Sequence, residues 1–196
     1  RPLQLGRYRG TWCKMFLLLF IAAGLGLGIA RGGDVRRLSS QRLRWSGLVL
    51  LALGLQIAVF SSFGRERLPS VTALLHIFSY ALLAIFAVVN CHHPGFYLMG
   101  AGLVSNLAAI WANGGYMPAL PQHLESLGVY EEGILNNSCV IGPGTPLWWL
   151  GDVFLLPLPV IGNVFSVGDL LLGVGAACFV YHSLHPVRSY KGRPSR

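Results

Sequence analysis

Two arginine-rich segments, Arg31–Arg44 and Arg188–Arg196, bracket a succession of long apolar runs, and no other property restricts the fold of this chain as much. The first segment holds five arginines and the second four basic residues, out of fifteen Lys and Arg in the whole chain. About 20 helical residues cross a hydrocarbon core of about 30 Å, and several of the runs approach that length. A soluble domain carries roughly 25% charged residues. Here 11% are charged and 54% hydrophobic, too little charge to coat a water-facing surface. The chain therefore reads as all-α: a polytopic transmembrane helix bundle over residues 15–186, followed by a basic cytoplasmic tail at 187–196.

The formal charge of +8 invites a nucleic-acid reading, which the pattern excludes. The basic residues lie at the ends of apolar spans and are not interleaved with aromatics on one polar face. Cytoplasmic loops carry such an excess, and anionic headgroups suit it. The expected partners are the lipid bilayer and partner helices or a second copy of the chain, with no nucleic acid. The cysteines Cys13, Cys91, Cys139 and Cys178 show no CxxC and no paired spacing, so neither a disulfide framework nor a metal site is expected. No cofactor motif is present either: Gly24, Gly26 and Gly28 lie inside a span with no strand before them, which suits close helix packing rather than phosphate binding.

Five spans are expected. Met15–Ala30 is the first, with Met15 read as the natural start and residues 1–14 as an extension without function. Its Gly28-Ile29-Ala30 end would suit a signal peptidase, but the arginines that follow resist export, so a retained helix is preferred. The others are about Ser46–Ser62, Ser70–Asn90, Gly95–Asn113 and Val164–Ser183. A turn at Phe63–Pro69 joins the second and third, and Cys91-His92-His93-Pro94 ends the third. Between Tyr116 and Asn163 lie four of the seven acids and no Lys or Arg, with a short interfacial helix expected within Leu120–Tyr130. Thr145–Gly162 is apolar but broken by Pro146, Pro157 and Pro159, so it reads as a re-entrant or surface-lying segment anchored by Trp148 and Trp149. The arginine clusters place the amino terminus outside and the carboxyl terminus in the cytoplasm of an inner-membrane protein.

Polar groups inside hydrocarbon are costly and face a bundle interior or a cavity. Gln56, His76, Asn106 and Asp169 fall on four different spans, each roughly 8–10 Å below the outer surface at 1.5 Å per residue. They form the expected polar site, with Asp169 as its charge, His76 as proton partner and Asp152 as a second acid. Asn113, at the outer end of the fourth span, completes the set. Interhelical hydrogen bonding is the structural alternative for Gln56 and Asn106. For Asp169 the alternative is a place near a helix N-terminus, which favours negative charge.

The strings MFLLLFIAAGLGLGIARGG, LRWSGLVLLALGLQIAVF, ANGGYMP (Ala112–Pro118), LGDVFLLPLP and VFSVGDLLLGVG together resemble DUF5317, a bacterial family of uncharacterised small multi-pass membrane proteins. That resemblance implies a membrane protein and carries no activity with it. Asn163-Val164-Phe165-Ser166-Val167-Gly168-Asp169 is also loosely similar to the Asn-x-x-Asp segment that opens the last helix of bacterial lipoprotein signal peptidase. It departs from that enzyme in the spacing of Asn163 to Asp169, and Asp152 lacks the surrounding Asn-x-x-Asp-Arg. The expected function is a non-enzymatic binding or accessory role, the polar layer holding a small polar solute, a lipid headgroup or a partner helix. Proton-coupled transport through Asp169 and His76 is the second expectation. Hydrolysis by Asp152 and Asp169 is the third.

Overall fold

The computed structural model describes residues 12–59, 69–126, 134–135, 138–157 and 162–186. Seven helices lie among them: α1 (Trp12–Ala30), α2 (Arg36–Ser39), α3 (Gly47–Val59), α4 (Pro69–Val89), α5 (Phe96–Ala112), α6 (Pro121–Ser126) and α7 (Val167–Ser183). The turn after α3 with Arg65, Glu66 and Arg67, the acids Glu131 and Glu132, and the basic tail lie outside the described residues. Among the described residues one helix, α4, is long and apolar enough over Val71–Val89 to cross a membrane; α3, α5, α7 and the Phe16–Ala30 part of α1 are apolar and shorter.

The chain is mostly helical rather than all-α. Strands β1 (Met117–Ala119), β2 (Ile134–Leu135) and β3 (Ser138–Val140) form one small sheet in the order β1-β3-β2, and β4 (Phe154–Leu156) pairs with β5 (Asn163–Phe165) in another. β1 and β3 run parallel; β2–β3 and β4–β5 are antiparallel. The physical reason lies in the prolines. A segment interrupted by Pro118, Pro146 and Pro157 cannot close a helical ladder, yet its buried amides and carbonyls still need partners. Short strand pairing supplies them. Strand β5 also takes residues 164 and 165 from the expected fifth span, so the last helix begins at Val167.

The five longer helices pack in the spatial order α1–α7–α5–α4–α3. Glycines set the closest approaches. On α5 and α7, Gly102 faces Gly168 and Gly95 faces Gly175, backbone against backbone, so these helices run antiparallel. On α1 and α7, Gly24 meets Ala177 and Gly28 meets Leu184, so these two run parallel. One end of the bundle gathers the loop between α1 and α3 with the α4–α5 turn and the end of α7. There Asn90 accepts from the Arg44 amide at 2.8 Å and donates to the Arg44 carbonyl at 2.9 Å, and the Asp34 amide donates to the Leu184 carbonyl at 2.9 Å. The other end gathers both sheets.

Large apolar side chains are found on both the inside and the outside of the bundle. Fully buried positions include Ala52, Ser79, Asn90, Asn106, Ala109 and Ser166, while Leu50 (74%), Leu74 (65%), Tyr97 (78%) and Trp111 (70%) stand exposed. Small and polar groups share the interior with Phe96, Leu103, Ile110 and Leu184, and large apolar groups also cover the outside.

Candidate functional site

The end of the bundle that carries the sheets is built where α5 stops. Asn113 donates its amide to the Ala109 carbonyl at 2.8 Å and to the Pro146 carbonyl at 2.9 Å, which ties the α5 terminus to the Pro-rich segment. Gly114 (φ +65) and Gly115 (φ +97) then reverse the chain in left-handed conformations that favour glycine. A side chain at Gly115 would also strike Ala73 of α4. The Gly115 carbonyl, so positioned, lies 2.7 Å from His76 Nδ1. A carbonyl can only accept, so Nδ1 carries the proton. His76 is buried, with its ring edge-on to Tyr80 at 5.3 Å.

Strand β1 follows at once and brings in Asp152. The Asp152 amide donates to the Pro118 carbonyl at 2.7 Å, and the Leu120 amide donates to the Asp152 carbonyl at 3.3 Å. Gly151 lies so close to the Pro118 carbonyl that no side chain fits there. The backbone of Asp152 is therefore fixed. Its half-buried carboxyl group is not: among the described residues no donor reaches it. Burial, and then the negative charge of Asp169, push this carboxyl well above the usual carboxylate range.

Asp169 is held at the third residue of α7. Ser166 is its N-cap, and the two form a capping box: the Asp169 amide donates to Ser166 Oγ at 2.9 Å, and the Ser166 amide donates to Asp169 Oδ2 at 3.0 Å. Asn106 of α5 closes the ring. Its Nδ2 donates to Asp169 Oδ1 at 2.8 Å, and its Oδ1 accepts from Ser166 Oγ at 2.9 Å. Asn106 and Ser166 are buried, and Gly168 leaves the space that the Asn106 amide occupies. The expected position of Asp169 inside a span thus becomes a position in the first turn of a helix, where the helix dipole suits negative charge.

Five of the six sequence-derived residues divide into two groups, and Asn113 stands apart. Asn106 and Asp169 are hydrogen-bonded to one another, and Asp152 is near enough to feel the charge of Asp169. Gln56 and His76 belong to the α3–α4–α5 contact, where Gln56 Nε2 donates to Ser79 Oγ at 3.1 Å and Ser79 Oγ donates to the His76 carbonyl at 2.7 Å. Asn113 serves as a latch. Of the buried polar residues that were not singled out in the sequence, Ser166 and Ser79 bond directly to those that were. The Ser-x-x-Asp spacing at 166–169 is a capping-box signal that marks the first of them; Ser79 has no comparable mark within its apolar run. Among the described residues no cluster of three His, Cys, Asp or Glu could hold a metal ion.

Neither the curated proteins nor the solved structures contain a match to this chain. A family model does match, over residues 40–181, which include every residue of the polar cluster and leave out the first apolar run. The chain belongs to DUF5317, a family of unknown function.

Proposed function

We propose that this chain is a five-span membrane protein that binds a small polar ligand, a solute or a lipid headgroup, at the outer end of its bundle. The observation that carries the ligand site is Asp152: a half-buried carboxyl group on a fixed backbone, without a donor among the described residues, beside a second carboxylate that is fully engaged. A carboxyl group partly withdrawn from water, with no donor to hold its charge, is costly to ionise. A ligand that donates a hydrogen bond or carries positive charge relieves that cost, and Asp169, locked by Asn106 and Ser166, supplies a carboxylate in a fixed position.

The many large apolar side chains on the outer faces support the membrane part of this reading. Leu50, Leu74, Ile57 and Val88 on the outer helix faces suit lipid, while Ser79, Asn90 and Asn106 find partners inside. Trp45 and Trp111, exposed at opposite ends, suit the two headgroup layers. The arginine-rich loop then faces the cytoplasm. Single cysteines at Ser40 and Ser126, placed in a chain whose four native cysteines are removed, test the orientation. An impermeant maleimide added to whole cells is expected to label Ser126→Cys and spare Ser40→Cys; the reverse pattern overturns it.

For the ligand, native mass spectrometry of the protein purified from membranes is expected to show a co-purifying small molecule. Asp152→Asn is expected to lower its occupancy about tenfold, the scale of one charge-assisted hydrogen bond, with helix content unchanged. Equal occupancy in the variant sinks the assignment. The raised Asp152 beside the charged Asp169 favours one second reading, acid–base hydrolysis, with Asp152 as acid and Asp169 as base. That reading requires each of Asp152→Asn and Asp169→Asn to abolish turnover, whereas binding alone survives without any turnover to abolish.

A further inference from the structure

The opposite end of the molecule carries a second constructed surface. The loop between α1 and α3 presents Arg31, Arg36, Arg37, Arg42 and Arg44, all exposed, and among the described residues none of the five makes an ion pair. Asp34, the one acid in the loop, is turned to its own backbone: its Oδ1 accepts from the Arg36 amide at 2.9 Å. The guanidinium groups are left unneutralised.

This loop is anchored at three places rather than merely basic. Its start is tied by the Asp34–Leu184 backbone hydrogen bond, and its end by the two bonds between Arg44 and Asn90. In between, Leu43 packs against the cluster of Ala87, Phe96 and Leu103. Ser39 and Ser40 donate their hydroxyls to the carbonyls of Arg36 and Arg37, each at 2.8 Å, which closes the short helix α2. Trp45 follows in a left-handed conformation (φ +56) and is 59% exposed.

We infer that this loop is a docking surface for the anionic headgroups of phospholipids. Guanidinium groups hold phosphate oxygens through paired hydrogen bonds. An indole prefers the depth at which headgroups meet acyl chains. A single-stranded nucleic acid calls for several stacking rings along a basic groove, and this loop offers one tryptophan at the foot of apolar helices. An acidic peptide has no use for the exposed Trp45 and Val35 beside the arginines. The inference rests on the membrane reading above but not on the Asp152 site at the other end.

The test reconstitutes the full chain in nanodiscs of phosphatidylcholine alone and of phosphatidylcholine with phosphatidylglycerol. Native mass spectrometry then counts the lipids retained on release. Phosphatidylglycerol is expected to be retained in preference. Arg36→Gln with Arg37→Gln is expected to reduce that preference about 25-fold, about fivefold for each charge near an anionic surface, and to leave phosphatidylcholine retention unchanged. Added salt is expected to weaken the preference of the wild type. Equal retention of both lipids by the wild type, or an undiminished preference in the double variant, overturns the inference. So does loss of the preference to millimolar inorganic phosphate, which would make the surface a site for free anions. A chain that stays in solution without detergent and enters neither disc refutes the membrane reading and this inference with it.

Discussion

Gly175→Ala is expected to destabilise the protein by about 1–3 kcal/mol, the range for forcing extra volume into a packed contact. A Cβ at this position lies 2.6 Å from the Gly95 carbonyl oxygen and 2.8 Å from the Met99 amide nitrogen. Those are backbone atoms of the cap and first turn of α5, which cannot step aside as the tip of a long side chain can. Gly95→Ala meets the same contact from the other side and adds a second strain. Its φ of +87° lies in the left-handed region, roughly 1–2 kcal/mol unfavourable for an L-residue. The control is Gly26→Ala on α1, where a Cβ meets nothing within 4 Å. There the substitution is expected to be neutral or to stabilise by roughly 0.5–1 kcal/mol, the ordinary preference of a helix interior for alanine. Thermal unfolding in one detergent, read by the loss of helical signal, separates the three variants. If Gly175→Ala melts with Gly26→Ala, the backbone contact between α5 and α7 is not what holds these helices together.

That contact explains what was legible in the sequence and what was not. Apolar runs and their punctuation by Gly, Pro and Asn located the five longer helices within a few residues, because helix length and helix breaking are local properties. The glycines Gly24 and Gly28 of the first span marked a packing face. Neither feature reveals which helix lies opposite, since Gly168 and Gly175 have no local reason to prefer α5 to α1. The small sheets were invisible for a related reason. Strands of two or three residues carry no period, and β1–β3 and β4–β5 exist because prolines leave buried backbone groups in need of partners. Of the polar residues, Asp169 and Asn106 could be placed at a shared depth from helical rise alone. Gln56 and His76 were assigned the same depth, yet depth says nothing about azimuth, and Gln56 turns to Ser79. The strings ANGGYMP, LGDVFLLPLP and VFSVGDLLLGVG, which carried the family resemblance, supply Gly115 and Pro118, Gly151 and Asp152, and Ser166, Gly168 and Asp169. They meet at one end of the bundle, which local reading of each string could not have shown.

Asp152→Asn is expected to make the protein more stable at neutral and alkaline pH, and to remove most of the decline in stability that the wild type shows as pH rises. Burial and the charge of Asp169 raise this carboxyl well above its ordinary range. A carboxyl that holds its proton more tightly when folded favours the folded state while it stays protonated. The contribution is complete below the unfolded value of about 3.9. It is lost progressively as pH climbs from there through the raised folded value. Each pH unit of elevation corresponds to about 1.4 kcal/mol at full burial and less where solvent screens the group. For a chain of this length each kcal/mol shifts the Tm by about 2–4 °C. Asparagine is never charged, so the variant lacks this titration and its Tm should fall much less from pH 4 to pH 8 than that of the wild type. Asn106→Ala should do the opposite. It removes a donor from Asp169 and an acceptor from Ser166, and is expected to cost about 1–3 kcal/mol at neutral pH. The contrast separates the two roles within one cluster. A residue that joins helices loses stability when replaced, whereas a residue kept under strain for a ligand gains stability and gives up binding. If Asp152→Asn and Asn106→Ala weaken the protein alike, Asp152 is one more tie between elements, and the ligand site has to be sought elsewhere.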